Sequence, residues 1–387
     1  MGQFGERMSG FFGGTTSGGG GGGNAVIILG GGTNSSVRCG VANTSNGSHS
    51  ATLGGGSNSN SGDYSSVVGG YSNNISNGFG SFIGGGGLNT TSCNYVTIGG
   101  GYNIQASGCY TTIAGGNSNC ATFPFNFIGG GGYNTTSNYY SVAVGGYSNS
   151  STEYGSVVVG GGYHTASGRY SFIGGGFQNT SSSCYSLVVG GKNNSSSGIY
   201  SVIVGGKSNI ATTSNYGFIG GGICNCNCQY YGTLSGGYYN SNSSRYGTIG
   251  GGYCNKTLSN YYGQTISGGG SNTTQAPFST IGGGQNNTNS AYYGVIGGGL
   301  NNSISSNSTK ISGGQENVND GAYSSIVGGL LNNMCGFDRS VIAGVCINAV
   351  ASCTLHANCL WLGSLPTNST GLPSGTVWNN SGVLNIV

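Results

Sequence analysis

The chain has 387 residues, of which 86 are glycine and 4 proline; only 4% are charged, and the formal net charge is +3. Ordinary domains carry about a quarter charged residues, so a string of conventional domains is excluded. Glycine without a strict every-third spacing excludes collagen, and nine scattered basic residues with no basic run exclude a nucleic-acid surface.

Residues 1–24 are glycine-rich around Phe4, Phe11 and Phe12. They are expected to form a flexible anchor that orders against a partner protein. They contain no apolar core of signal-peptide length, and no apolar run anywhere reaches membrane-spanning length. No membrane insertion is expected.

Residues 25–352 repeat one phrase. YSVAVGGYSN at Tyr140 is followed by YGSVVVGGGYH and YSFIGGGFQN. The Asn of a Gly-Gly-x-x-Asn motif recurs at Asn134, Asn149, Asn179, Asn194, Asn209, Asn225, Asn240 and Asn255, with His164 in the missing slot. The series extends upstream through Asn103 to Asn43 and downstream to Asn348. Six residues before each Asn stands Ile, Val or Leu, with Thr52, Thr97 and Ala143 as exceptions. An aromatic series runs in step through Tyr140, Tyr154, Tyr170, Tyr185, Tyr200, Tyr216, Tyr231 and Tyr246. The period is about 15 residues and the copies number about 21.

Such a period is too short for a helical hairpin, and glycine is a poor helix former. A β-branched strand closed by Gly-Gly predicts an all-β fold, a parallel β-solenoid of the β-roll or β-helix kind. The Ile/Val series becomes an inner stripe, and Asn is placed in the turn that favours it, bonding amide to amide along the stack. At about 4.8 Å per coil the rod would reach roughly 100 Å. One large apolar side chain per coil is thin cover for the backbone entropy lost, so side-by-side association as a homotrimer is expected. The outward aromatics or the glycine face would do the packing.

Within the repeat little points to chemistry. Lys192 and Lys207 follow Gly-Gly but open no P-loop, and six acidic residues cannot charge a calcium roll. Glu316 and Asp320 are the only carboxylates near each other in sequence, and they read as a solvated loop. Cys224, Cys226 and Cys228 lack the paired spacing of a zinc site and read as small fillers in successive turns, with free thiols throughout. No cofactor and no enzymatic activity are expected. Sequons at Asn89, Asn134, Asn179 and Asn272 follow from the turn composition.

Residues 353–387 hold both tryptophans, Trp361 and Trp378, and are expected to form a cap or contacting tip over the last open sheet edge.

SVAVG in Tyr140–Gly145 resembles the repeat of trimeric autotransporter adhesin heads, which are parallel β-rolls wound as trimers. The Gly-Gly-x-x-Asn array resembles bacteriophage tail-fibre and head-fibre proteins. LPTNSTGLPSG at Leu365–Gly375 and WNNSG at Trp378–Gly382 resemble the closing segment of many phage virion proteins. Autotransporter adhesins carry a signal peptide, a coiled-coil stalk and a membrane barrel, none of which is visible in this sequence. The resemblance therefore implies a virion fibre for host attachment. It would be held to a virion protein by its N-terminal segment and would contact host surface glycans through its tyrosines. A bacterial cell-surface or extracellular adhesin is the alternative. An ice-binding solenoid is a weaker one, because no regular Thr-x-Thr series is apparent.

Overall fold

Two-residue β runs, cut by Gly-Gly on one side and by Asn or Ser on the other, are too short to stand alone. Their backbone groups are satisfied only by stacking on copies of themselves. The computed structural model describes residues 27–38, 40–212, 215–258, 261–359, 365–374, 376–380 and 383–386. The expected anchor and Trp361 lie outside this set. Of Trp378 only the backbone is described, in the strand Val377–Asn380, which pairs antiparallel with Val383–Ile386. The described residues are all-β with no helix and form a parallel β-solenoid of about 21 turns. They divide into two units, Met1–Cys254 and Asn255–Val387.

In the first unit each turn contributes two strands. Val142–Ala143 lies between Phe127–Ile128 and Val157–Val158 in a first parallel sheet. Ser150–Ser151 lies between Thr135–Thr136 and Thr165–Ala166 in a second. The corner between them carries a column of single bridges, Gly132 to Tyr147 to Gly162 among them. The second unit repeats the plan, with a first sheet from Thr265–Ile266 to Leu355–Ala357 and a second from Lys256–Thr257 to Val318–Asn319.

The second residue of each two-residue strand points inward. In the first sheet this builds the stripe Ile113, Ile128, Ala143, Val158 and Ile173, all fully buried. Apart from Ile75 and Ile304, the inner column of the second sheet is polar or small, and in many turns it is matched by the residue five positions later. Ser151 bonds Ser156 at 2.7 Å, and Ser181 bonds Ser186 at 2.6 Å. Where the inner residue is Asn227 or Asn289, the partner is Gly232 or Gly294. A Cβ at Gly232 would stand 2.2 Å from Asn227 Oδ1, and one at Gly294 would stand 2.4 Å from Asn289 Oδ1. At these two pairs the larger inner side chain faces a residue with none, as close packing demands.

Three expectations are corrected. The recurring Asn is not a turn residue: Asn149 is fully buried, and the left-handed position belongs to the residue before it, Ser148, with φ 52°. The reason is hydrogen-bond direction. Ser148 donates back to Gly132 O at 2.9 Å, whereas Tyr147 donates forward to Gly161 O at 2.9 Å, and the reversal swings the Asn side chain inward.

The series also slips by one residue near Asn103. Asn103 is the exposed left-handed residue (φ 55°), and Ile104 fills the buried slot. The same slip moves the inner stripe from Thr97 to Ile98. At the far end Ile347, not Asn348, takes the bond from Asn332, its N–H donating to Asn332 Oδ1 at 3.1 Å.

The third correction concerns cysteine. Cys93 is bonded to Cys109 one turn on, and Cys226 to Cys228. Cys226 and Cys228 lie in one run on either side of the inward Asn227, so they are not fillers of successive turns.

Candidate interaction surfaces

The Asn column is the internal scaffold. Asn149 Nδ2 donates to Gly145 O at 2.8 Å in its own turn and to Gly161 O at 3.1 Å in the next. Its Oδ1 accepts the backbone N–H of His164 at 3.1 Å. Asn134, Asn194, Asn225 and Asn240 repeat both donations. Asn179 and Asn209 do the same. Asn255 donates to Gly269 O at 2.9 Å. Direct amide-to-amide bonds join Asn272, Asn287, Asn302, Asn317 and Asn332 in the second unit. The sequon residues Asn89, Asn134, Asn179 and Asn272 all belong to this buried column.

His164 is the one ionisable residue in that stretch of the column. It is fully buried; its Nδ1 accepts Asn179 N–H at 3.1 Å, and Nε2 has no partner. Burial holds its pKa below the usual histidine value, with backbone contacts at Gly176 and Asn179 opposing. A proton on Nδ1 would abolish the acceptor for Asn179. The unfolded chain takes up a proton near pH 6.5 that the folded chain refuses, so stability falls as pH drops below that value. His164→Asn restores both donations and removes the titration. It is expected to raise the urea midpoint at pH 7.5, and to raise it further at pH 5.5.

The aromatic series forms a continuous outer column. Tyr140, Tyr170, Tyr185, Tyr200, Tyr216, Tyr231 and Tyr246 all occupy left-handed backbone, with φ between 54° and 58° except 59° at Tyr216. That conformation costs roughly 1–2 kcal/mol for a residue with a side chain. A favourable ring pair returns about 0.5–1.5 kcal/mol, so stacking goes far to hold it. From Tyr170 to Tyr246 successive rings stand 4.8–5.2 Å apart and within 16° of parallel. Their faces cover one another, and edges and hydroxyls meet solvent.

Tyr154 breaks the stack. Gly155 takes the left-handed place (φ 64°), and Tyr154 meets Tyr140 and Tyr170 edge-on at 65° and 77°. The Arg169 guanidinium lies 5.1 Å from the centre of Tyr154 and 5.4 Å from that of Tyr170. Desolvation, then the neighbouring Tyr170 and Tyr140 phenols, push the Tyr154 pKa up, with Arg169 opposing.

The outer face of the first sheet went unnoticed in the sequence. Phe82, Phe127, Phe172 and Phe218 begin its strands at every third turn, and each lies over the glycine two residues on, with Cε1 3.3–3.5 Å from where that glycine's Cβ would be. Between Phe127 and Phe218 the intervening turns carry Val144, Val159, Val189 and Val204 instead, all exposed; between Phe82 and Phe127 they carry Thr97 and Thr112. From Ala51 to Gly250 no outward position of these strands is charged. The signal was in the sequence as Phe-Ile-Gly recurring every third turn, at Phe82, Phe127, Phe172 and Phe218.

The outer face of the second sheet is hydroxyl-rich. Thr135 and Ser137 stand beside Ser150 and Thr152, then Thr165 and Ser167. Ser and Thr alternate without order, and Cys120 and Ile210 interrupt them. Acidic side chains serve outer turns. Asp63 Oδ1 accepts Ser48 N–H at 2.7 Å, and Asp320 Oδ1 accepts Gly336 N–H at 2.7 Å. Glu316 instead accepts from Gln315 Nε2 at 2.9 Å. No protein-family model and no curated protein matches this chain.

Proposed function

We propose that this chain is a structural fibre protein of a phage-like virion, a solenoid that associates as a homotrimer and projects for host attachment. One observation carries the self-association: the uncharged Phe/Val outer face of the first sheet. Monomers rarely expose contiguous apolar patches beyond a few hundred Å², and a stable seam buries about 800 Å² per partner. The exposed Val144, Val159, Val189 and Val204, set between Phe127 and Phe218, are the surface offered to such a seam. The seam is therefore assigned to this face, leaving the tyrosine column outward, where the exposed rings on either side of the half-buried Tyr154 are the contacts open to glycans.

Light scattering of the full chain is expected to give three chain masses. Val159→Glu with Val189→Glu is expected to reduce this to one, with the β signal in circular dichroism retained. A one-chain mass for the unmodified protein would overturn the trimer. Antibody labelling of particles by electron microscopy tests the virion assignment separately.

A further inference from the structure

We propose that the stacked tyrosines from Tyr185 to Tyr246 are a site of oxidative cross-linking, where a peroxide-driven one-electron oxidant couples phenols one turn apart into dityrosine. The argument rests on the column itself and is independent of how chains associate.

Four consecutive pairs have centroids 4.8–5.0 Å apart and planes within 11° of parallel. These five residues are 44–56% exposed, so the column is open to an oxidant. The column holds phenol above phenol at the spacing of parallel strands. A radical formed on one ring meets the next ring in the stack before it meets anything else.

The chemistry balances. Each of two phenols gives one electron to the oxidant and one proton to water, leaving two phenoxyl radicals. Their unpaired density lies partly on the ring carbons ortho to oxygen. A bond forms between one such carbon on each ring, and the hydrogen on each coupled carbon moves to its oxygen, restoring both aromatic rings. The two electrons and two protons reduce one peroxide to two waters. The product is a carbon–carbon staple between neighbouring turns on the outside of the solenoid.

A second set of tyrosines provides the internal control. Tyr133, Tyr147 and Tyr163 are slightly wider apart, at 5.3 and 5.6 Å, and meet at 63°. Edge-on rings do not place the ortho carbons of successive phenols over one another.

The test takes the full chain, mixed equally from light and heavy nitrogen-15 preparations that are unfolded and refolded together, and treats it with peroxidase and hydrogen peroxide. Dityrosine fluorescence and cross-linked peptides are then measured. Links Tyr185–Tyr200, Tyr200–Tyr216, Tyr216–Tyr231 and Tyr231–Tyr246 are expected within single chains, as isotopically pure pairs, and to outnumber links among Tyr133, Tyr147 and Tyr163. Tyr200→Phe with Tyr216→Phe keeps the rings, as Phe125 and Phe278 already do in the series. It is expected to remove the first three links and leave Tyr231–Tyr246. Links spread evenly over all tyrosines, links only in isotopically mixed pairs, or an undiminished yield in the double variant would each overturn the proposal.

Discussion

Asn194→Ala is expected to cost about 3–5 kcal/mol of unfolding free energy. The change strands two groups: Gly190 O, which Nδ2 reaches at 2.9 Å, and the backbone N–H of Asn209, which donates to Oδ1 at 2.9 Å. It also takes from Gly206 O one of its two donors, leaving the Lys192 N–H. Each buried polar group left unpaired costs about 1–3 kcal/mol. Asn193, one residue earlier, is exposed with φ 56°. Asn193→Ala is expected to lose only about 1 kcal/mol, the penalty of left-handed backbone for a residue that favours it less. Urea titrations of the two variants with a common slope measure the difference. Equal losses would refute the inside–outside assignment. Ile104, like His164, forgoes the two donations; it fills the volume and joins the apolar cluster around Ile98 and Ile113, but unlike His164 it offers no acceptor to the next turn, at Asn119.

The Gly-Gly pair is expected to split just as sharply. Gly146 has φ 91°, and a Cβ there would lie 2.1 Å from Gly161 O and 2.6 Å from Asn149 Nδ2. Neither atom can retreat without breaking the contact between turns. Gly146→Ala is expected to lose more than about 3 kcal/mol, combining backbone strain with a collision. A Cβ on Gly145 meets nothing within 4 Å, so Gly145→Ala is expected to stay within about 0.5 kcal/mol. Thermal and urea unfolding of the two single variants decide it; a tolerated Gly146→Ala would show that turns are looser than the hydrogen bonds imply.

The period, the β class and the inner Ile/Val stripe were legible because each is a property of spacing. The place of Asn149 was not. A glycine-flanked Asn has the same local preference for a turn whichever way it faces, and its inward orientation is decided by bonds to Gly161, twelve residues on. The slip at Asn103 shows the same limit. Tyr102-Asn103-Ile104 puts an Asn next to the slot, and only the paired shift from Thr97 to Ile98 reveals which residue is inside. The matching of Asn227 with Gly232, and of Ser181 with Ser186, was written in the sequence at a separation of five. It is a rule about volume across an outer turn, and a search for chemical motifs passes over it. The Phe series at 82, 127, 172 and 218 was hidden for a related reason: it has a period of three turns, and each Phe looks like a variant of Val until its glycine partner is seen.

That five-residue matching has a consequence for how such a chain changes over generations. Both members of a matched pair lie inside one repeat, so a replication slip or unequal exchange that duplicates or deletes a whole repeat carries the pair intact. Longer and shorter descendants inherit cores that already fit. A single inserted residue has somewhere harmless to go as well. The sixteen-residue step from Asn73 to Asn89 keeps the bond from Asn89 N–H to Asn73 Oδ1 at 3.1 Å. Length in this architecture is a quantity that mutation can adjust one repeat at a time, without selection having to repair the interior after each step.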